Sequence, residues 1–168
     1  MKRNLPIISV GGGACVALFD ILGDVELVEA AADKLAPLIP VGTEVLVMPE
    51  GKAAALLHAI GVRTGLQTVV FRKKPKYLSD PVHSTSVHSI TTAQEQRLYI
   101  GAREIEKIKG RRCLVLDDVV SKGDTLRAMR ELLAKAEANY DGVMAVFTEG
   151  DEKPDMICLG HLPTFREE

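Results

Sequence analysis

The chain has 168 residues, 46% of them hydrophobic and 26% charged, which excludes a disordered tail or a fibrous repeat and suits one domain of ordinary size. Its 21 basic and 23 acidic residues leave a net charge of −2, without the basic excess that marks a domain wrapped around nucleic acid. Aromatics are only 4% and Trp is absent, so the core must be built from Leu, Val, Ile and Ala.

Three cysteines, Cys15, Cys113 and Cys158, are widely spaced and form no C-x-x-C pair. That pattern predicts single thiols in a reducing compartment rather than a disulfide frame or a zinc site. Lys2-Arg3 precede an uncharged stretch over residues 4–19, but Pro6 and the Gly11-Gly12-Gly13 triplet spoil any apolar helix there. The stretch is also short of the roughly 20 residues that span a bilayer. The expectation is a cytoplasmic protein without membrane attachment.

Short β-branched runs alternate with helical patterns, the mark of an α/β architecture of one domain over residues 1–168. Residues 5–10 read as a strand. Asp24 is placed to cap a helix over residues 25–38, closed by Pro37 and Pro40. Residues 44–48 predict a strand that leads through Pro49-Glu50-Gly51-Lys52 into a helix over 53–60, ended by Gly61. His58, inside that apolar helix, is expected to be a packed core imidazole. Residues 67–71 form a further buried strand, followed by the basic cluster Arg72-Lys73-Lys74-Pro75-Lys76.

Residues 77–97 are polar and rich in Ser, Thr and His. They admit a hairpin, 86–90 against 97–100, and their length inside a compact domain predicts a functional lid or a disordered insert. His83 and His88 lie there without cysteine partners, a poor metal signal. Strands are expected at 112–116, 142–147 and 156–159. Leu126, Met129, Leu132, Leu133 and Ala136 between them fall on one helical face. Strand–helix–strand order predicts a mostly parallel, twisted sheet, with ligands beyond the carboxyl ends of its strands. Glu149-Gly150-Asp151-Glu152 at one such end reads as a solvated loop that leaves a base-edge contact open.

Residues 113–126, CLVLDDVVSKGDTL, carry the chemistry. An apolar strand delivers two adjacent carboxylates, Asp117 and Asp118, and a short loop then feeds a helix starting near Thr125. Loop amides and a helix N-terminus suit a phosphate dianion. Ser121 and Thr125 add hydroxyl donors, and Gly123 lets backbone approach closely. A sugar phosphate satisfies both halves, its ribose hydroxyls on the carboxylates and its phosphate in the loop; a purely structural turn after an acidic doublet is the competing reading. The nucleoside-triphosphate loop motif is missing, and the dinucleotide fingerprint at Gly11-x-Gly13 fails at Val16.

This segment resembles the signature with which type I phosphoribosyltransferases bind phosphoribosyl pyrophosphate (PRPP), and the likeness extends over most of the chain. Met48-Pro49-Glu50-Gly51-Lys52 and the Ala-rich helix after it look like the pyrophosphate loop of the adenine branch. Phe71-Arg72-Lys73-Lys74-Pro75-Lys76 resembles that branch's basic strand end, and the SITT and QRLY stretches are similar to the lid of purine members. Leu18-Phe19-Asp20-Ile21 is similar to its base-contacting segment. The resemblance implies the type I phosphoribosyltransferase fold with a flexible lid, and transfer of phosphoribosyl from PRPP to a purine, adenine first.

By that resemblance, Asp117 and Asp118 are catalytic and hold the ribose. PRPP is bound by Glu50, Gly51, Lys52, Ala53, Arg72, Lys73, Lys76, Ser121, Lys122, Gly123, Asp124 and Thr125, and the base by Leu18 and Phe19. Magnesium arrives with PRPP and water rather than on direct protein ligands, and two copies pair as a homodimer. Lys122 and Asp124 depart from the family's Thr-Gly-Gly-Thr loop. Two unit charges 4 Å apart cost about 4 kcal/mol at an effective dielectric near 20. Asp124 is therefore expected to turn outward as the helix N-cap.

Two other readings compete. A non-catalytic PRPP-binding regulator of the same fold would explain the loop departures, although no basic recognition helix supports nucleic-acid binding. A phospho-receiver domain would carry its acidic pair at the first strand, not late in the chain.

Overall fold

The computed structural model of the chain describes residues 2–87, 96–151 and 155–166. In chain order the elements are β1 (Ile7–Gly11), β2 (Ala14–Ala17), α1 (Val25–Leu35), a 3-10 turn (Ala36–Leu38), β3 (Val45–Pro49), α2 (Ala54–Thr64), β4 (Gln67–Phe71), β5 (His83–Val87), β6 (Gln96–Ile100), α3 (Ala102–Ile108), β7 (Arg112–Val120), α4 (Asp124–Lys135), β8 (Asn139–Glu149), β9 (Ile157–Leu162) and β10 (Thr164–Arg166).

Five strands form an all-parallel sheet in the order β4-β3-β7-β8-β9. Side chains alternate across it by strand parity. Val45, Val47, Val69, Phe71, Cys113 and Val115 face a core shared with Met129, Leu132 and Leu133 of α4. Leu46, Met48, Leu114, Leu116, Met144 and Val146 face the opposite core, with α1 and α2. Both faces are covered, so β3 is buried along its whole length.

The helices begin and end where local chemistry allows. The Asp24 carboxylate accepts the Leu27 N–H at 3.0 Å and caps α1, whose Val28, Ala31, Ala32 and Leu35 form the buried stripe. The helix after β3 ends at Gly65 in the left-handed conformation (φ 70°), not at Gly61. Gly61 instead sits within α2 because a Cβ there would lie 2.9 Å from the Thr68 methyl, so its hydrogen lets helix and sheet close. His58 is exposed on α2, contrary to the core position expected for it.

The N-terminal strand does not join the parallel sheet. Gly11, Gly12 and Gly13, all at positive φ, reverse the chain immediately, and β1 pairs antiparallel with β2. Parallel pairing needs a crossover of a dozen or more residues, and none is available there. β10 adds to the other edge of β2, giving a separate three-stranded sheet.

The hairpin forms as β5 against β6, in register from His83↔Ile100 to Val87↔Gln96. Its first strand thus starts earlier than expected; residues 88–90, His88, the SITT stretch and Glu152 lie outside the described residues. No helix among the described residues is long and apolar enough to cross a membrane.

Candidate functional site

The carboxyl ends of β3, β4 and β7 open into one cleft with about 210 Å³ of free space. Its floor and walls include seven of the residues singled out in the sequence: Glu50, Gly51, Lys52, Lys73, Asp117, Asp118 and Thr125. They come from the segments at the ends of three strands and meet because parallel strands end on the same side of the sheet. β7 continues through the acids to Val120, since Val119 and Val120 pair with Phe147 and Thr148 of β8. The two carboxylates are therefore held on regular strand rather than on a loop.

Crowding two acids at a buried strand end raises the proton affinity of one. Burial, and then the neighbouring Asp118 charge, push Asp117 up to about 8, while the Lys73 ammonium works in the opposite sense. At neutral pH Asp117 is thus driven toward its protonated form. One Asp117 oxygen accepts the Asp118 N–H at 2.9 Å, which fixes that side chain. Such a pair accepts from and donates to vicinal hydroxyls at once.

Cations line the facing wall. Lys52 approaches Asp20 at 3.3 Å. Asp20 is itself held by the Leu22 N–H at 3.0 Å, and that bond foremost, with Lys52 adding, keeps its carboxyl below the usual range. The Lys73 N–H donates to Glu50 at 2.9 Å, and Arg72 meets the other Glu50 oxygen at 3.6 Å. Glu50 thereby ties the β3 and β4 loops together at the cleft edge.

The loop after β7 departs from expectation in one respect. Gly123, at φ 85°, is the N-cap, and Asp124 is the first helical residue rather than the cap. The reason is conformational: only glycine takes that φ without strain, which starts the helix one residue earlier. Asp124 pairs with Arg127 at 3.3 Å, one turn along α4. Its charge is thus directed along the helix surface, and the Gly123–Thr125 amides remain at the helix N-terminus.

Several expected residues stand elsewhere. Ala53 is fully buried beneath the cleft as part of the core, where its amide rather than its methyl is the group near the loop. Lys76 stacks on Tyr77, 4.8 Å from the ring centroid. Ser121, Lys122, Gly123 and Asp124 flank the cleft without lining it. Phe19 is a core residue, 6% exposed and edge-on to Phe147 with centroids 4.8 Å apart; Leu18 is exposed, and neither lines the cleft. A Leu-Phe pair signals apolar contact without saying with what.

The far wall is built by Val87, Gln96, Arg97 and Leu98 of the hairpin, all but Leu98 within the stretch the sequence marked as a lid, though none of the four was singled out as a site residue. Its trace was the alternation of Leu98 and Ile100, both buried, with more exposed neighbours. Among the described residues no three His, Cys, Asp or Glu side chains gather as a metal cage.

Comparison with known proteins agrees with this geometry. The family model described as the phosphoribosyl transferase domain matches residues 28–155. The hypoxanthine/guanine phosphoribosyltransferase of Methanobacterium paludis is 30% identical over 128 residues, covering 76% of this chain and 64% of that protein. The xanthine phosphoribosyltransferase of Clostridioides difficile is 36% identical over 84 residues, 49% of this chain and 43% of that protein. The chain therefore spans under two thirds of the length of either. Among solved structures, adenine phosphoribosyltransferase from Thermoanaerobacter pseudethanolicus superposes with a TM-score of 0.76 at 18% identity, covering 94% of this chain and 95% of that one. With a parallel five-stranded sheet, an acidic pair at the mouth of β7 and a family match over most of its length, the chain belongs to the phosphoribosyl transferase family and has the type I phosphoribosyltransferase fold.

Proposed function

We propose that the protein transfers the phosphoribosyl group of PRPP to a purine base, giving a nucleoside monophosphate and pyrophosphate. The observation that carries this reading is the meeting in one cleft of the Asp117–Asp118 pair, the Gly51-Lys52 loop, Lys73 and Thr125. In the reaction a purine ring nitrogen bonds to the anomeric carbon while the bond from that carbon to pyrophosphate breaks. The electron pair leaves with pyrophosphate, and the purine gives up its ring proton. Little covalent help is needed; positioning and charge stabilisation supply the rate.

Each residue then has a task. Asp117 and Asp118 orient the ribose hydroxyls, and the α4 N-terminus with Thr125 holds the 5′-phosphate. Lys52, Lys73 and the Gly51 amide receive the pyrophosphate as its charge grows. The donor set fits magnesium held by phosphate oxygens and water beside the acidic pair, where it would neutralise the pyrophosphate. The chain itself orients that cluster and excludes water from it.

The base is the finer part of the proposal. Relatives named for hypoxanthine, guanine and xanthine support an oxopurine. The adenine reading rests on the likeness of the loop 48–52, the strand end 71–76 and the segment 18–21 to the adenine branch; of these only the last concerns the base, and its Phe19 ring is engaged with Phe147. The test is a panel of adenine, hypoxanthine, guanine and xanthine, each with PRPP and magnesium, read as nucleotide formed. Turnover fastest with an oxopurine is expected. PRPP binding without turnover of any base would move the protein to a regulatory role; no PRPP binding would end both readings. Pairing into a homodimer, carried by resemblance, completes the proposal and is checked by sedimentation; the cytoplasmic location rests on the cysteine pattern and the N-terminal stretch.

A further inference from the structure

The hairpin wall of the cleft is fastened to the helix that begins at the phosphate loop. The Thr85 hydroxyl, 6% exposed on β5, donates a short hydrogen bond to Oε2 of Glu131 on α4. One turn further, Lys135 Nζ donates to the Ser84 carbonyl at 2.7 Å. The two ties join consecutive hairpin residues to α4 positions four apart, which lie on the same helical face. Beneath them Val87, Leu98 and Ile100 share a core with Leu126, Met129, Leu132 and Leu133. The other strand is fixed to the end of β4 by a reciprocal pair of backbone bonds between Arg72 and Tyr99, both 2.8 Å.

Of the two fastened residues, Thr85 pairs directly with the cleft wall, and Ser86 follows it in the same strand. Thr85 stands opposite Leu98 and Ser86 opposite Arg97, and both Leu98 and Arg97 line the cleft. Glu131 lies seven residues along α4 from Asp124, about 10 Å along the helix axis. Any slip between hairpin and helix therefore changes the gap between the Arg97 wall and Thr125.

We propose that Glu131, acting through Thr85, is a positioning residue for PRPP that sets the width of the cleft. The inference rests on the function proposed above. A carboxylate suits this task better than an apolar contact, because a hydrogen bond to a buried hydroxyl fixes direction as well as distance, whereas apolar packing tolerates sliding.

The experiment measures PRPP and base kinetics for Glu131→Ala, Glu131→Gln, Thr85→Val and the Glu131→Ala/Thr85→Val double variant. Wild-type protein that fails to bind PRPP refutes the functional reading itself. Given wild-type binding, Glu131→Ala is expected to raise KM for PRPP about tenfold while kcat and the KM for the base stay within about twofold. Thr85→Val, which keeps the volume and loses the hydroxyl, should match it, and the double variant should add nothing further. Glu131→Gln should restore KM to within about twofold, because the amide oxygen still accepts. An unchanged KM for PRPP in the folded Thr85→Val variant overturns the proposal, as does a loss in kcat alone or additive single effects. Should Glu131→Ala fold poorly, Thr85→Val and Glu131→Gln decide the matter.

Discussion

Asp117 holds a proton at a pH where an aspartate in water has none, and the sign of its effect on stability follows. Its folded-state value of about 8 stands above the ordinary 3.8. Between those values unfolding releases a proton, so the folded state loses stability as pH rises from about 4 to about 8. Asp117→Asn removes that dependence. The variant is expected to melt higher than wild type at pH 8, with a smaller advantage at pH 5, while losing PRPP binding by calorimetry. A melting difference constant across that range would show that the acid is not held protonated. Cys113, on the same strand, is driven by burial up to about 12, a thiol unreactive toward alkylation at neutral pH.

Among elements, the rim opposite the cleft is held by a polar staple. Thr43 donates to Asp141 Oδ2 at 2.6 Å, and the Arg112 guanidinium reaches Asp141 Oδ1 at 2.5 Å, joining the starts of β3, β7 and β8. Burial acts to raise the Asp141 carboxyl, but Thr43 and Arg112 together bring it below the usual range. A carboxyl lowered on folding contributes stability above pH 3.8 that is lost as pH falls through its folded value. Asp141→Asn should therefore cost about 2 kcal/mol in urea unfolding at pH 7, a deficit that shrinks steadily in acid.

The same scale shows what the sequence carried. The buried strands β3, β4 and the first half of β7 were legible, because continuous apolar runs between glycine and charge leave few alternatives. β2 and β10 were not: four uniformly apolar residues and three of mixed polarity are too short to hold a period, and only pairing with each other and with β1 makes them strands. α3 was missed for a similar reason, as its seven residues bury only Ile108 fully and its start is set by Glu104 reaching back to the Gly101 N–H. At the site, acidic and cationic residues were readable from chemistry and spacing. Of the far wall only the stretch was readable, as a lid; which of its side chains line the cleft depends on long-range contacts that no local pattern encodes.

For the molecule as a whole, the two cores on either side of the sheet are joined through strands whose alternate residues feed each. Opening one face exposes the other, so unfolding should be a single cooperative transition. A ligand that bridges the ends of β3, β4 and β7 then stabilises the entire body. PRPP with magnesium at one hundred times its dissociation constant is expected to add about 2.7 kcal/mol, seen as one melting transition moved upward without broadening. A shift confined to part of the transition would mean that the cleft and the far core unfold separately.

The small sheet in which β1 and β10 flank β2 has a topological consequence. Those outer strands lie about 10 Å apart across β2 and run parallel, so β10 finishes at the opposite end of the sheet from the start of β1. A circular permutant must therefore carry a crossover of a dozen or more residues from β10 to β1, and Val41, 96% exposed ahead of β3, offers a place to reopen the chain. Such a permutant would leave the strand ends that form the cleft covalently intact, with its new termini on the rim away from them.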